Sequence, residues 1–116
     1  IILGNGDIKS VKEGKEKAKE GGANGAMIGR GIFGTPWFFN EEAFEKGKSV
    51  EERLSMLVEH TKLFEEKLCD IKNFAIMKKH YKAYIHDFDG AKELRTELME
   101  CSNSNEVEIK VKEFLR

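Results

Sequence analysis

Two short apolar runs that each end in a glycine-rich turn, followed by a long stretch of capped, helically spaced apolar positions, predict a mainly α chain. Its expected form is a C-terminal helical bundle preceded by a β-α-β remnant of an incomplete (β/α)8 barrel. The first run is Ile1-Ile2-Leu3, closing in Gly4-Asn5-Gly6-Asp7-Ile8; the second is Ala26-Met27-Ile28, closing in Gly29-Arg30-Gly31. Both are apolar without alternation, as parallel strands covered on two faces are. Glycine turns at strand ends let backbone N–H groups close on an anion. Two in succession point to one shared phosphate, the arrangement found after the seventh and eighth strands of such barrels. Taken singly, each turn is more simply a plain strand-to-helix connection. At 116 residues the chain is too short for a whole barrel of about 250, so it reads as a piece of a longer protein that starts upstream of Ile1.

The connecting helix opens at Ser10-Val11-Lys12-Glu13, a capping-box pattern, and is stopped by Gly21-Gly22. The second strand is expected over about 25–28, with a turn of helix near Ile32 and Phe33. Gly34-Thr35-Pro36-Trp37-Phe38-Phe39-Asn40 holds the only proline and the only tryptophan. It is expected to form a hinge whose aromatics plug the seam between a domain at 1–40 and another at 41–116. Asn40 caps a short helix that Gly47 ends. A second capping box, Ser49-Val50-Glu51-Glu52, opens a helix to about Leu68 whose Val50, Leu54, Leu57, Val58, Thr61 and Phe64 recur at helical spacing. Asp70 is expected to cap the next, with Ile71, Phe74, Ala75, Tyr81 and Ile85 inward. Asp89-Gly90 breaks it, Ala91 to Met99 follow, and a last helix begun by Asn103 or Ser104 carries Val107, Val111, Phe114 and Leu115.

The net charge of −1 hides a segregation: residues 71–86 carry four lysines and no acid, whereas 41–70 carry five basic and nine acidic groups. A local basic stretch inside an acidic module points to a polyanionic partner. Were 71–86 one helix, Lys72, Lys79 and His86 would share a face and Lys78 would lie one turn before Lys82. A solvated helix face remains the alternative reading. Cys69 and Cys101 lack metal-site spacing and read as ordinary reduced thiols, which together with the absence of an apolar membrane-spanning run places the protein in the cytoplasm. His60, His80 and His86 do not make a metal set. At the glycine turns, Arg30 is placed to give a charge-assisted bond to phosphate. Asp7, which would repel an anion, is expected to accept hydrogen bonds from backbone or from Asn5, or to cap the following helix.

The strings Gly4-Asn5-Gly6-Asp7-Ile8, Gly25-Ala26-Met27-Ile28-Gly29-Arg30-Gly31 and Gly34-Thr35-Pro36-Trp37 resemble the end of the catalytic barrel in the tRNA-dihydrouridine synthases. The likeness continues at Met77-Lys78-Lys79-His80-Tyr81 and Gly90-Ala91-Lys92-Glu93-Leu94-Arg95, so that it spans nearly the whole chain. These are flavoenzymes whose barrel is followed by a helical tRNA-binding domain. The resemblance implies that Asn5, Gly6, Asp7, Gly29 and Arg30 surround the FMN phosphate, and that Lys78, Lys79, His80 and Lys82 contact tRNA. It also implies reduction of a uracil base of tRNA with NADPH as reductant. The family's proton-donating cysteine belongs to an upstream barrel loop; neither Cys69 nor Cys101 matches it, so no catalytic residue is expected here and the piece alone should be inactive. Where many relatives carry an arginine and an aromatic around the basic pair, this chain has Lys78 and Ala83. Two other readings share some of these features: another FMN barrel oxidoreductase acting on a small metabolite, which needs no basic helix, and a non-enzymatic helical RNA-binding module. Open strands in a piece of this kind also favour self-association.

Overall fold

A computed structural model describes residues 1–116, which divide into two compact units, Ile1–Gly47 and Lys48–Arg116. In the first, β1 (Leu3–Gly4) and β2 (Gly25–Ala26) pair in parallel with Leu3 opposite Gly25 and Gly4 opposite Ala26. Helix α1 (Val11–Glu20) makes the crossover between them, so the expected β-α-β order forms. The hydrogen bonds from Asn24 N–H to the Ile2 carbonyl and from Met27 N–H to the Gly4 carbonyl extend the ladder at both ends. Ser10 caps α1 by accepting from the Glu13 N–H, but the Glu13 carboxylate reaches back to the N–H of Lys9 rather than of Ser10. The capping box is therefore only half realised. That backbone donor, with Lys17 beside it, holds the Glu13 carboxyl below the usual range. A 3-10 turn at Arg30–Ile32 and α2 (Glu41–Lys46), capped by Asn40, complete the unit.

Phe38 is the aromatic that the first unit buries, with its ring edge-on to Phe39 and Phe44 at 5.2 and 5.3 Å. Both of these ring contacts lie inside that unit, with Phe39 left exposed. Ile1, Ile2 and Leu3 are also exposed, contrary to the two-sided burial their composition predicts. Two strands and one helix offer no second layer to cover them.

The second unit is helical throughout: α3 (Val50–Leu68), α4 (Ala75–Lys78), α5 (Tyr81–Tyr84), α6 (Ala91–Met99) and α7 (Ser104–Phe114). Ser49 and Glu52 complete the capping box of α3, and Asn103 caps α7 as its position predicts. The core gathers Leu54, Leu57, Met77, Tyr84, Leu98 and Val107 with little or no exposure. Each such aliphatic side chain is worth about 1.5–3 kcal/mol on burial. At the far end of α3, Glu65 accepts hydrogen bonds from the N–H and hydroxyl of Ser104, so a carboxylate from one helix completes the start of another. Gly90 begins α6 at φ +82, and a Cβ there would stand 2.8 Å from the Phe114 ring; conformation and packing both demand glycine. No helix is long and apolar enough to cross a membrane.

The continuous helix expected from Asp70 does not form. Asn73, not Asp70, starts the segment by accepting the Ala75 N–H at 2.8 Å, and α4 and α5 are single turns. Between them the backbone bonds span three residues, as in His80 N–H to the Met77 carbonyl and Ala83 N–H to the His80 carbonyl. A short amide side chain that captures a backbone donor is the ordinary competitor of a regular helix, and three-residue bonding winds the chain more tightly than an α-helix. Ile71 and Ala75 consequently lie exposed rather than inward.

Candidate functional site

The parallel register brings the ends of β1 and β2 to the same edge, and with them the two glycine turns. Asn5, Gly6, Asp7, Gly29 and Arg30, all predicted from sequence, line one cleft of about 330 Å³ together with Ile8 and Gly31. A Cβ added at Gly6 or Gly29 would meet no atom within 4 Å, so the backbone at both turns is open to close approach by a ligand. Gly31 is the opposite case. Its Cβ would fall 2.4 Å from the Ile8 carbonyl oxygen, which makes glycine the residue that lets the second turn press against the first. Sequence inspection gave Gly31 no site role, although the Gly-Arg-Gly spelling was the available signal.

Asp7 neither caps α1 nor braces its own turn. Its carboxylate accepts from the Arg30 guanidinium at 2.5 Å, across 23 residues of sequence, and its backbone is left-handed at φ 47. Both side chains are mostly exposed, so the pair adds little stability; what it does is hold the Arg30 fork at the cleft. A guanidinium has five donors, and those not directed at Asp7 are left for an anion. Open glycine backbone, a guanidinium in the lining and a volume of this size suit a phosphate monoester.

The predicted RNA-facing residues are not equivalent. Lys79 and Lys82 are exposed, whereas Lys78 is half-buried and donates its ammonium to the Met99 carbonyl at the end of α6. His80 packs its ring 5.2 Å from that of His60, whose Nδ1 shares a 2.9 Å hydrogen bond with the Tyr84 hydroxyl. Burial pushes the Tyr84 hydroxyl up to about 12. His86 lies outside any basic face: its Nδ1 contacts Asp87 at 2.7 Å, while Arg53 reaches its Nε2 and carbonyl. Arg53 also lies over the Phe88 ring. No local signal announces that partnership, because its members are 33 residues apart.

Burial lowers the pKa of His60, and burial together with the neighbouring His60 and Lys79 lowers that of His80. An unfolded histidine titrates near 6.5, so on acidification the unfolded chain takes up protons first. The stabilising contribution is complete above about pH 6.5 and is lost as pH falls through the lowered folded values. Melting curves between about pH 7 and 5 should therefore show a falling midpoint that His60→Gln with His80→Gln largely flattens. An equal slope in the double variant would refute the assignment.

Comparison with known proteins gives these geometries a family. The model for dihydrouridine synthase (Dus) matches residues 1–116. A probable tRNA-dihydrouridine synthase of Staphylococcus aureus (strain MRSA252) is 38% identical over 115 residues, covering 98% of this chain and 34% of the relative. One from Staphylococcus epidermidis (strain ATCC 12228) is 39% identical over 100 residues, covering 85% of this chain and 30% of the relative. Probable tRNA-dihydrouridine synthase 2 of Bacillus subtilis (strain 168) is 34% identical over 117 residues, covering 100% of this chain and 35% of the relative. The chain thus spans about a third of the length of these relatives. The span of this family match, residues 1–116, takes in both glycine turns and the lysine-rich segment, and leaves one conclusion: the chain belongs to the dihydrouridine synthase family.

Proposed function

We propose that this chain is the C-terminal part of an FMN-dependent tRNA-dihydrouridine synthase, with the first unit, as the end of a (β/α)8 barrel, cradling the FMN phosphate and the second holding tRNA. The observation that carries the reading is the convergence of Asn5, Gly6, Asp7, Gly29 and Arg30 on one cleft. When bound, FMN supplies hydride chemistry, with NADPH as the source of reducing equivalents. Arg30 neutralises part of the phosphate charge, the open backbone at Gly6 and Gly29 allows the anion to approach, and Asp7 keeps the guanidinium oriented.

A uracil inside folded tRNA is hidden from any barrel mouth, so the target base must leave its stack while the remaining RNA is held. The exposed lysines of the acid-free segment 71–86 suit that holding task, since they neutralise phosphates without reading sequence. Proton donation to the reduced base is assigned to neither cysteine. Cys101 is buried and its thiol pushed up by that burial, and Cys69 lies exposed at the end of α3 among the helices. The decisive experiment supplies the enzyme containing this chain with FMN, NADPH and a tRNA transcript free of modified bases. Dihydrouridine, measured by mass spectrometry of the digested RNA, is the expected product. NADPH-dependent turnover of a small metabolite with no change in the RNA would overturn the reading.

A further inference from the structure

All but one of the lysines of the second unit fall into two classes. Lys48, Lys62, Lys67, Lys110 and Lys112 are paired with glutamates at 2.6 to 3.8 Å. Lys72, Lys79, Lys82 and Lys92 are exposed and make no ion pair, and three of these four lie in the segment without acids. The counterions released on binding are those condensed on the RNA, and a lysine already paired with a carboxylate must break that pair before it can displace them. An unpaired one has no carboxylate to give up and gains the full phosphate interaction.

Lys78 belongs to neither class. Helix α6 ends with no basic residue in its last turn, and Glu97 and Glu100 crowd the end where negative charge is unfavourable. Lys78 supplies the missing cation from another element: its ammonium binds the Met99 carbonyl, one of the acceptors that a helix leaves unsatisfied at its C-terminus. The same bond fixes α4, and hence the turn that presents Lys79.

Building on the tRNA-binding reading above, we propose that the basic segment divides its labour. Lys79 and Lys82, joined by Lys72, bind the phosphates of tRNA, while Lys78 is a positioning residue that ties the segment to the end of α6 and touches no RNA. Lys78 and Lys79, adjacent in sequence, therefore do different work.

Binding of the 116-residue chain to an unmodified tRNA transcript, followed by fluorescence anisotropy across a salt series, separates these roles. Lys79→Gln and Lys82→Gln should each lower the slope of log affinity against log salt by about 0.7–0.9, with no change in melting temperature. Lys78→Met should weaken binding several-fold at every salt concentration, leave the slope at its wild-type value and accelerate hydrogen exchange in the last turn of α6. Lys78→Arg, which keeps a donor for the Met99 carbonyl, should restore both affinity and protection. A slope loss in Lys78→Met equal to that in Lys79→Gln would overturn the division while leaving the tRNA reading intact. Salt-independent binding by the wild-type chain, or none, would overturn both.

Discussion

Replacing Leu57 by alanine is expected to cost about 2–5 kcal/mol, the range for truncating a fully buried leucine. Leu57 has no exposed surface and sits in the cluster that α3 shares with α5, α6 and α7. The alanine leaves a void in this close-packed cluster, whose other members, Met77, Tyr84 and Leu98 among them, cannot fill it without leaving their own contacts. Stability of a unit this size is itself roughly 3–10 kcal/mol, so the variant should lie near its unfolding midpoint in dilute urea. Urea titration followed by helical circular dichroism supplies the number. Leu63 on the same helix is half exposed, and Leu63→Ala should stay within about 0.5 kcal/mol of wild type. Equal losses at the two positions would mean that α3 does not present the face described here.

Arg30→Ala should weaken FMN binding by the enzyme that contains this chain by about 1.5–3 kcal/mol, the range for hydrogen bonds to charged groups. At about 1.4 kcal/mol per decade that is a loss of roughly 10- to 150-fold. The change removes the only cation lining the cleft and leaves Asp7 alone beside the anion. Arg30→Lys should recover part of the affinity, since a point charge replaces the fork without its paired donors. Riboflavin, which has no phosphate, provides the contrast: its affinity should be insensitive to either substitution. Flavin fluorescence quenching measures both affinities for the wild type and the two variants. Unchanged FMN affinity in Arg30→Ala would remove this residue from the phosphate site.

Features set within a few residues of sequence were legible from it. Asn40, Ser49 and Asn103 cap the helices they precede, because a side-chain oxygen and the N–H three residues on meet through local geometry alone. The gathering of five cleft residues was legible for a related reason. Two strand-turn units in parallel put equivalent ends side by side, whatever else surrounds them. What sequence left hidden depends on partners far along the chain: Arg30 with Asp7, Arg53 with His86, Lys78 with the Met99 carbonyl. The broken segment 71–86 shows a different limit. Its periodicity suits a helix, yet the Asn73 side chain competes for the same backbone donor and the shorter turns won, so that a seven-residue basic face exists in the spelling and not in space.

The two-residue ladder of β1 and β2 also governs which insertions and deletions the first unit can accept. A residue added between Ala26 and Gly29 would advance Arg30 by about one strand step, some 3.3 Å, and break its bond to Asp7 while leaving every helix unchanged. The same addition in the turn after α1, before Asn24, is absorbed outside the ladder, because Asn24 holds Ile2 through both its N–H and its side-chain oxygen. Length variation within this part of the family should therefore collect at the end of α1 and be absent from the seven positions that follow Asn24.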